Sequence, residues 1–239
     1  MRQTLRSFLK RGPRTQCFSE LLGTYLLVFF GPGSVIAASM LGMTSTEALA
    51  FVAAVFGATV ACLILLLGRT SGANINPAVT LGGALAGISQ RGTVGPYVLS
   101  QLAGGLLAGL TLSLAFGAHG SVTDLGSTKL ASGVSPAEGV ALEVAGTFVL
   151  VVSALTAASF VKSPLKQAIL VGGTLSTIIL FIGPLTGASL NPARSLGPSI
   201  FSGYLDDQAV YYVGPFIGGA IAGLLFRRVN RVRTSPTQG

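Results

Sequence analysis

The chain has 239 residues, of which 50% are hydrophobic and only 9% are charged, and its formal net charge is +8. A soluble domain spends about a quarter of its residues on Asp, Glu, Lys and Arg, so this composition excludes an ordinary soluble globule and an intrinsically disordered protein. It also excludes a nucleic-acid-binding protein, because a basic patch needs a polar folded face to carry it. The 33 glycines follow no G-x-y period, which excludes collagen and suits closely packed membrane helices.

Six stretches with few charges predict six transmembrane helices, because about 20 apolar residues are needed to cross roughly 30 Å of hydrocarbon. In chain order, they are residues 21–46, 48–68, about 94–116, 137–161, 167–193 and 208–226. The first stretch is too long for the apolar region of a signal peptide, and five others follow it. An even number of spans predicts that both termini lie on the same side of the membrane.

The basic residues predict the orientation. Of the 15 lysines and arginines, 13 fall in the tails and in the loops after the second and fourth spans, so we expect this face to be cytoplasmic. Lys129 lies in a loop of the opposite face, and Arg194 lies near the end of the second half. We interpret the basic tails, 1–14 and 227–239, as topology signals, with binding of anionic lipid as the lesser alternative. Acidic residues agree with this orientation, since five of them fall on the outer side: Glu47, Asp124, Glu138, Asp206 and Asp207.

Three landmarks recur in the same order in the two halves of the chain. They are E-x-x-G-T from Glu20 and Glu143, the Asn-Pro-Ala segments at 76–78 and 191–193, and G-x-x-x-G from Gly105 and Gly219. Each half, about 15–117 and 136–230, holds three spans, so the second half must run upside down relative to the first. We therefore predict an all-α membrane protein with one channel domain, 1–239, built as an inverted repeat.

The two Asn-Pro-Ala segments, Asn76-Pro77-Ala78 and Asn191-Pro192-Ala193, each predict the start of a helix, because Asn is a favoured N-cap and Pro a favoured first residue. The apolar runs behind them end near Ala86 and Phe201 and are too short to cross a bilayer. Both are therefore predicted half-helices that enter from opposite faces. The loop carbonyls before them can line a wet path through the protein; these belong to Gly72, Ala73, Asn74, Gly187, Ala188 and Ser189.

Inverted symmetry predicts that the two half-helix N-termini meet at the midplane, where each carries roughly half a positive charge. The amides of Asn76 and Asn191 would donate there to a permeating water, whose own hydrogens then point along the pore. Such a water does not relay protons, and the paired dipoles repel cations. An Asn-Pro pair that merely starts a helix is the alternative, and it explains one copy better than two matched copies.

This pattern is similar to that of the aquaporin, or major intrinsic protein, family from Phe18 to about Phe226, and most similar to archaeal-type or prokaryotic members. The resemblance implies a homotetramer of channels, each with six transmembrane helices and two re-entrant half-helices. It also implies an outer selectivity filter, in which an arginine and half-helix dipoles exclude ions. Carried over by position, the filter residues are Phe56, Ile179, Ala188 and Arg194.

The implied filter differs from that of a strict water channel. Ile179 stands where such channels have His, and Ala188 provides no thiol or bulky side chain, so we expect a wider and less polar constriction. Other positions favour water over glycerol: Ser195 stands where glycerol channels have Asp, and Tyr211-Tyr212 stand where they have Pro-Leu. Asn74 replaces a His that is common in the family.

Three charged residues fall inside the predicted membrane region. We interpret Glu20 and Glu143 as supports that accept hydrogen bonds from the re-entrant loops, and the alternative is a proton relay. Arg194 is predicted to bind permeants and repel cations, and the alternative is a propping or snorkelling arginine. Cys17 and Cys62 are predicted to pack away from the pore.

Three classes of function compete: a passive channel, a coupled transporter and a structural membrane protein. The scarcity of buried charge disfavours coupling, and the matched amide donors disfavour a merely structural role. We expect a multi-pass protein of the cell membrane that passes water and small neutral solutes. The alternative is an aquaglyceroporin-like channel for a larger or different neutral solute, such as glycerol or ammonia. The sequence predicts no enzyme, catalytic residue, cofactor, metal or nucleic-acid partner.

Overall fold

The structure, a computed structural model, describes residues 12–234, which form eight α-helices and no strand. Two of the helices are short, α3 (Pro77–Ala86) and α7 (Pro192–Ser202). The prediction of an all-α membrane protein with six spans and two half-helices is confirmed, because the other six helices are long and apolar enough to cross a membrane. These are α1 (Pro13–Met40), α2 (Ser45–Leu67), α4 (Val94–Val122), α5 (Pro136–Phe160), α6 (Pro164–Thr186) and α8 (Val210–Thr234). Residues 1–11 and 235–239 of the predicted tails lie outside the described residues.

Helices α1, α4 and α8 extend well past the limits that the charge pattern predicts, and α8 does so by continuing to Thr234. Helix α1 begins at Pro13 and continues through Glu20, because that carboxylate is fully buried and hydrogen-bonded inside the protein instead of marking the membrane surface. Helix α4 continues to Val122 beyond a break at Gly117, whose φ of 47° is a left-handed conformation that glycine adopts without strain. Charge therefore locates these spans but not their ends.

Local capping explains where the other helices begin. Helices α2 and α5 start with capping boxes, in which Thr44 pairs with Glu47 and Ser135 pairs with Glu138. The half-helices α3 and α7 instead start with an Asn N-cap followed by Pro, as predicted, and each ends at a left-handed glycine. Both half-helices are therefore fixed at their two ends by nearby sequence.

Each half-helix packs against the last span of the other repeat: α3 lies on α8, and α7 lies on α4. A Cβ atom added to Gly105 would overlap the carbonyl of Ala193, and one added to Gly219 would overlap that of Ala78. The two G-x-x-x-G pairs therefore allow the half-helices to approach the spans backbone to backbone.

Candidate functional site

The two half-helices begin face to face and are joined by crossed hydrogen bonds. Asn76 Nδ2 donates to the Leu190 carbonyl at 2.8 Å, and Asn191 Nδ2 donates to the Ile75 carbonyl at 2.9 Å. Each Asn Oδ1 also accepts from the backbone N–H two residues further on, which caps its own helix. Because a side-chain amide carries two N–H donors, each Asn keeps a second donor for a permeant.

A cavity of about 150 Å³ runs past both half-helix starts. Its walls are mainly apolar side chains from α1, α2, α5 and α6. Its lining residues include most of the predicted filter and loop positions and both asparagines, namely Phe56, Gly72, Ala73, Asn74, Asn76, Ala188, Ser189, Asn191 and Arg194. An apolar wall with a few convergent polar groups is the usual character of a small-molecule site.

Ile179 of the predicted filter and Gly187 of the predicted loop lining do not line this cavity, and neither do Pro77, Ala78, Pro192 and Ala193 of the Asn-Pro-Ala segments. Gly187 has a φ of 76° and forms the left-handed end of α6, where it lies against Thr128. Ile179 is buried in the same apolar cluster as Phe56 and Ala188. The roles of Gly187 as a lining residue and of Ile179 as a filter residue stay predictions.

Left-handed backbone recurs at matched positions of the two re-entrant loops. Ala73 and Ala188 have φ values of 49° and 45°, and Ile75 and Leu190 have values of 45° and 56°. Such a conformation is uncommon for residues other than glycine and is expected to cost about 1 kcal/mol or more at each position. Contacts outside the loops must therefore hold this geometry.

Glu20 supports the first loop. Its carboxylate is fully buried and accepts from Ser71 Oγ at 2.5 Å and from the backbone N–H groups of Asn74 at 3.1 Å and Ile75 at 2.7 Å. Gln101 Nε2 donates to it at 2.7 Å. These four donors replace the water that a buried carboxylate has lost, so Glu20 fixes the loop on α1.

Glu143 supports the second loop in the same way. It accepts from Thr186 Oγ1 at 2.7 Å and from the backbone N–H groups of Ser189 at 2.9 Å and Leu190 at 2.7 Å. The interpretation of both glutamates as loop supports agrees with these contacts. Within residues 12–234, the hydrogen bonds of each carboxylate stay in its own half of the protein and form no path between the two.

Arg194 lies against the cavity and is only 3% exposed, which excludes a snorkelling arginine that reaches to the surface. Its guanidinium carbon is 5.1 Å from the centre of the Phe56 ring, within the range of a cation–π contact. Nη1 donates to the Gly126 carbonyl at 2.8 Å, while Nε has no hydrogen-bond partner within the described part of the chain. The guanidinium is thus held on one side, and because it carries five N–H donors, others remain beside the one given to Gly126.

Sequence reasoning missed two groups at the site. Gln101 bridges Glu20 to Thr80 on α3 and donates to Thr80 Oγ1 at 2.8 Å. The sequence signal that could have found it is an uncharged polar residue within an apolar span. The Gly126 carbonyl that accepts from Arg194 left no signal in the sequence, because a backbone carbonyl is present at every residue.

Comparison with known proteins agrees with this geometry, since the family model for major intrinsic proteins matches residues 9–226. The chain belongs to the major intrinsic protein family. The aquaporin AqpM of Methanothermobacter marburgensis is 32% identical over 235 residues, which cover 89% of this chain and 96% of that protein. The aquaporin TIP2-3 of Arabidopsis thaliana is 37% identical over 214 residues, which cover 87% and 84%.

The solved structure of the aquaglyceroporin from Plasmodium falciparum has the same fold as this major intrinsic protein. It covers 91% of this chain and 95% of its own, with a TM-score of 0.74 and 22% identity. The resemblance inferred from the paired Asn-Pro-Ala segments is therefore confirmed, as is a multi-pass membrane protein.

The remaining candidates for chemistry lie away from the cavity. His119 and Cys62 are exposed, Cys17 is partly exposed, and none of the three lines the cavity. In residues 12–234, no three His, Cys, Asp or Glu side chains form a group that could hold a metal ion. The polar side chains among the lining residues of this major intrinsic protein are amides, hydroxyls and one guanidinium, all of which can form hydrogen bonds with neutral polar molecules.

Proposed function

We propose that this protein is a passive transmembrane channel that conducts water and small neutral solutes and excludes protons and ions. The observation that carries the proposal is the crossed pair of bonds from Asn76 and Asn191, which holds two half-helix N-termini together beside one cavity. The similarity to aquaporins supports the permeant class.

Proton exclusion follows from the donors that face the cavity. A water that accepts from Asn76 and Asn191 uses its lone pairs there, so its hydrogens point away from the half-helix starts in both directions. A proton relay needs a water that accepts from one neighbouring water and donates to the next, and this arrangement interrupts that sequence. The two positive helix ends and Arg194 also oppose any cation.

An aquaglyceroporin-like channel, with a larger neutral solute as its main permeant, is the second candidate. Ile179 and Ala188 favour it, because an isoleucine and an alanine leave the constriction less polar and more open than a histidine would. Ser195, in contrast, favours water. The filter that we assign consists of Phe56, Ile179, Ala188 and Arg194.

We place both termini in the cytoplasm and the chain in the cell membrane, because the basic residues concentrate in the tails and in the loops on that face. We also propose a homotetramer with one pore in each subunit, on the strength of the family resemblance. Cross-linking of purified protein in detergent and in lipid vesicles tests this assembly, and a monomer in both would contradict it.

Stopped-flow light scattering of proteoliposomes tests conduction. Water permeability should exceed that of protein-free vesicles in proportion to the protein incorporated, and the flux of water should not depend on a pH gradient. Glycerol and ammonia follow as second permeants, measured on the same vesicles. Equal permeability with and without protein would contradict a channel, and solute flux that needs a proton gradient would indicate a coupled transporter.

An acid pulse tests proton exclusion. Vesicles loaded with a pH-sensitive dye should acidify no faster with protein than without it, while a protonophore should collapse the gradient in both. A proton leak that scales with the amount of protein would contradict the proposed mechanism, even if water permeability were high.

A further inference from the structure

The segment that joins the two repeats holds the pore arginine. Residues Asp124, Leu125 and Gly126 have φ values of 46°, 54° and 69°, so three successive residues adopt left-handed backbone. This turn presents the Gly126 carbonyl to Arg194 Nη1, and Leu125 is buried below it beside Ile36. Two non-glycine residues in this conformation are strained, so the turn depends on other contacts for its shape.

Thr128 supplies a buried contact for this turn. Its side chain is 1% exposed, and its hydroxyl lies 2.8 Å from the hydroxyl of Ser195, the residue after Arg194. The Ser195 hydroxyl is in turn 2.6 Å from that of Ser189, which donates to the Asn191 carbonyl at 3.1 Å. A continuous chain of hydroxyl groups therefore links the connecting segment to the start of α7.

Lys129 stabilises the same turn at its partly exposed side. Its ammonium group forms an ion pair with Asp124 and lies 4.4 Å from the centre of the Tyr204 ring. Because Asp124 and Lys129 stand on either side of Gly126 in sequence, the ion pair closes the segment that carries the carbonyl. The pair is partly exposed and contributes little stability alone, so the buried Thr128 contact is the stronger anchor.

We propose that Thr128 is a positioning residue that sets the specificity of the pore: its bond to Ser195 keeps the Gly126 carbonyl on Arg194 and so fixes the width of the constriction. This inference rests on the proposed channel function. If the anchor is lost, the turn can move away, and the guanidinium gains freedom to leave the Phe56 ring. This movement should raise the permeability to a larger solute more than the permeability to water.

The test compares the ratio of glycerol to water permeability in proteoliposomes of wild type, Thr128→Val and Thr128→Ser. Valine keeps the shape of threonine and removes the hydroxyl, so the ratio should rise about two- to fivefold, as expected for the loss of one neutral hydrogen bond. Serine keeps the hydroxyl and should retain the wild-type ratio. Thr123→Val is the matched control, because within the described chain the Thr123 hydroxyl donates to the Gly120 carbonyl at the end of α4 and not to Ser195.

A second pair of variants shows whether Thr128 acts through the arginine. In an Arg194→Ala background, Thr128→Val should cause no further change in the ratio, since the group that it positions is gone. If Thr128→Val folds poorly, Ser195→Ala removes the same bond from the other side, and the same rise is expected. A merely structural role would lower glycerol and water permeability together and leave their ratio unchanged.

The outcomes separate the two proposals. A wild type that conducts no more water than protein-free vesicles would overturn both the channel and the positioning role. A conducting wild type whose ratio is unchanged in both Thr128→Val and Ser195→Ala would overturn the positioning role alone. An equal change in the wild-type and Arg194→Ala backgrounds would also overturn it, because Thr128 would then act by another route.

Discussion

The protein has two re-entrant units, each made of a loop and the half-helix that follows it, at residues 71–86 and 186–202. The two units have the same backbone conformation but differ in the contacts that hold it. Both have a buried glutamate, matched left-handed residues and an Asn N-cap. The first unit gains a further support from Gln101, which joins Glu20 to Thr80. The second unit has Pro215 at the place that matches Gln101 relative to the paired glycines, and it is fastened instead by Thr128 and Ser195.

A second difference concerns what each unit presents to the cavity. Arg194 follows the second Asn-Pro-Ala segment, and Val79 follows the first. A charged donor is therefore present in the second unit and absent from the same place in the first. The shared contacts supply hydrogen-bond partners for the loop backbone, which both units need because non-helical backbone at membrane depth must be paired inside the protein. The unshared parts are where we expect selectivity to be determined.

The largest expected effect comes from removing the shared supports. Glu20→Ala removes the acceptor of four donors and Glu143→Ala removes that of three, and each buried donor left unpaired costs about 1–3 kcal/mol. Both variants should lose most of their folded yield, and Glu20→Ala should lose more. Thermal unfolding in detergent, followed by size-exclusion chromatography, measures this loss. Glu47→Gln is the control, because Glu47 is exposed and glutamine also completes a capping box; a Glu20→Ala protein as stable as this control would contradict the supporting role.

Arg194→Ala tests the part of the second unit that the first unit lacks. The ratio of glycerol to water permeability should rise roughly tenfold, since a hydrogen bond to a charged group contributes about 1.5–3 kcal/mol. Cation exclusion should weaken too, because a fixed positive charge is lost where the dielectric constant is low. The measurements are stopped-flow permeability and a cation leak assay on the same vesicles. Arg91→Ala, at an exposed position away from the cavity, is the control; an identical ratio in both variants would show that Arg194 does not restrict the pore.

Ile179→His is expected to have a smaller effect in the opposite direction. A bulky polar side chain should narrow the constriction and reduce glycerol passage more than water passage. The ratio of glycerol to water permeability should fall roughly fivefold, which corresponds to a difference of about 1 kcal/mol between the two barriers. The same permeability ratio measures it, normalised to incorporated protein. Ile169→Leu, on the exposed side of the same helix, provides the comparison. If Ile179→His leaves the ratio unchanged in a folded channel, Ile179 does not belong to the filter.

The smallest expected effect is that of mercury on the wild type. Cys17 and Cys62 do not line the cavity, so mercuric chloride should leave water flux largely intact. Ala188→Cys places a thiol on the cavity wall and should make the flux sensitive, which provides a positive control. Inhibition of the wild type that disappears in Cys62→Ser would mean that the face of α2 toward the pore has been assigned wrongly.

Much of the fold could be predicted because its signals are local. The number of spans follows from apolar length, and the half-helix starts follow from the capping preferences of Asn76-Pro77 and Asn191-Pro192. The prediction of an inverted arrangement follows from the odd number of spans in each repeat. These features depend on a few neighbouring residues, which is why the sequence by itself determined them.

Only the tertiary structure decided how the units are joined. The bonds of Asn76 to Leu190 and of Asn191 to Ile75 link positions more than a hundred residues apart. The anchors at Gln101 and Thr128 likewise join distant elements, and the Gly126 acceptor is a backbone carbonyl that every residue possesses. No local pattern encodes such pairs, because they exist only once packing has brought the elements into contact.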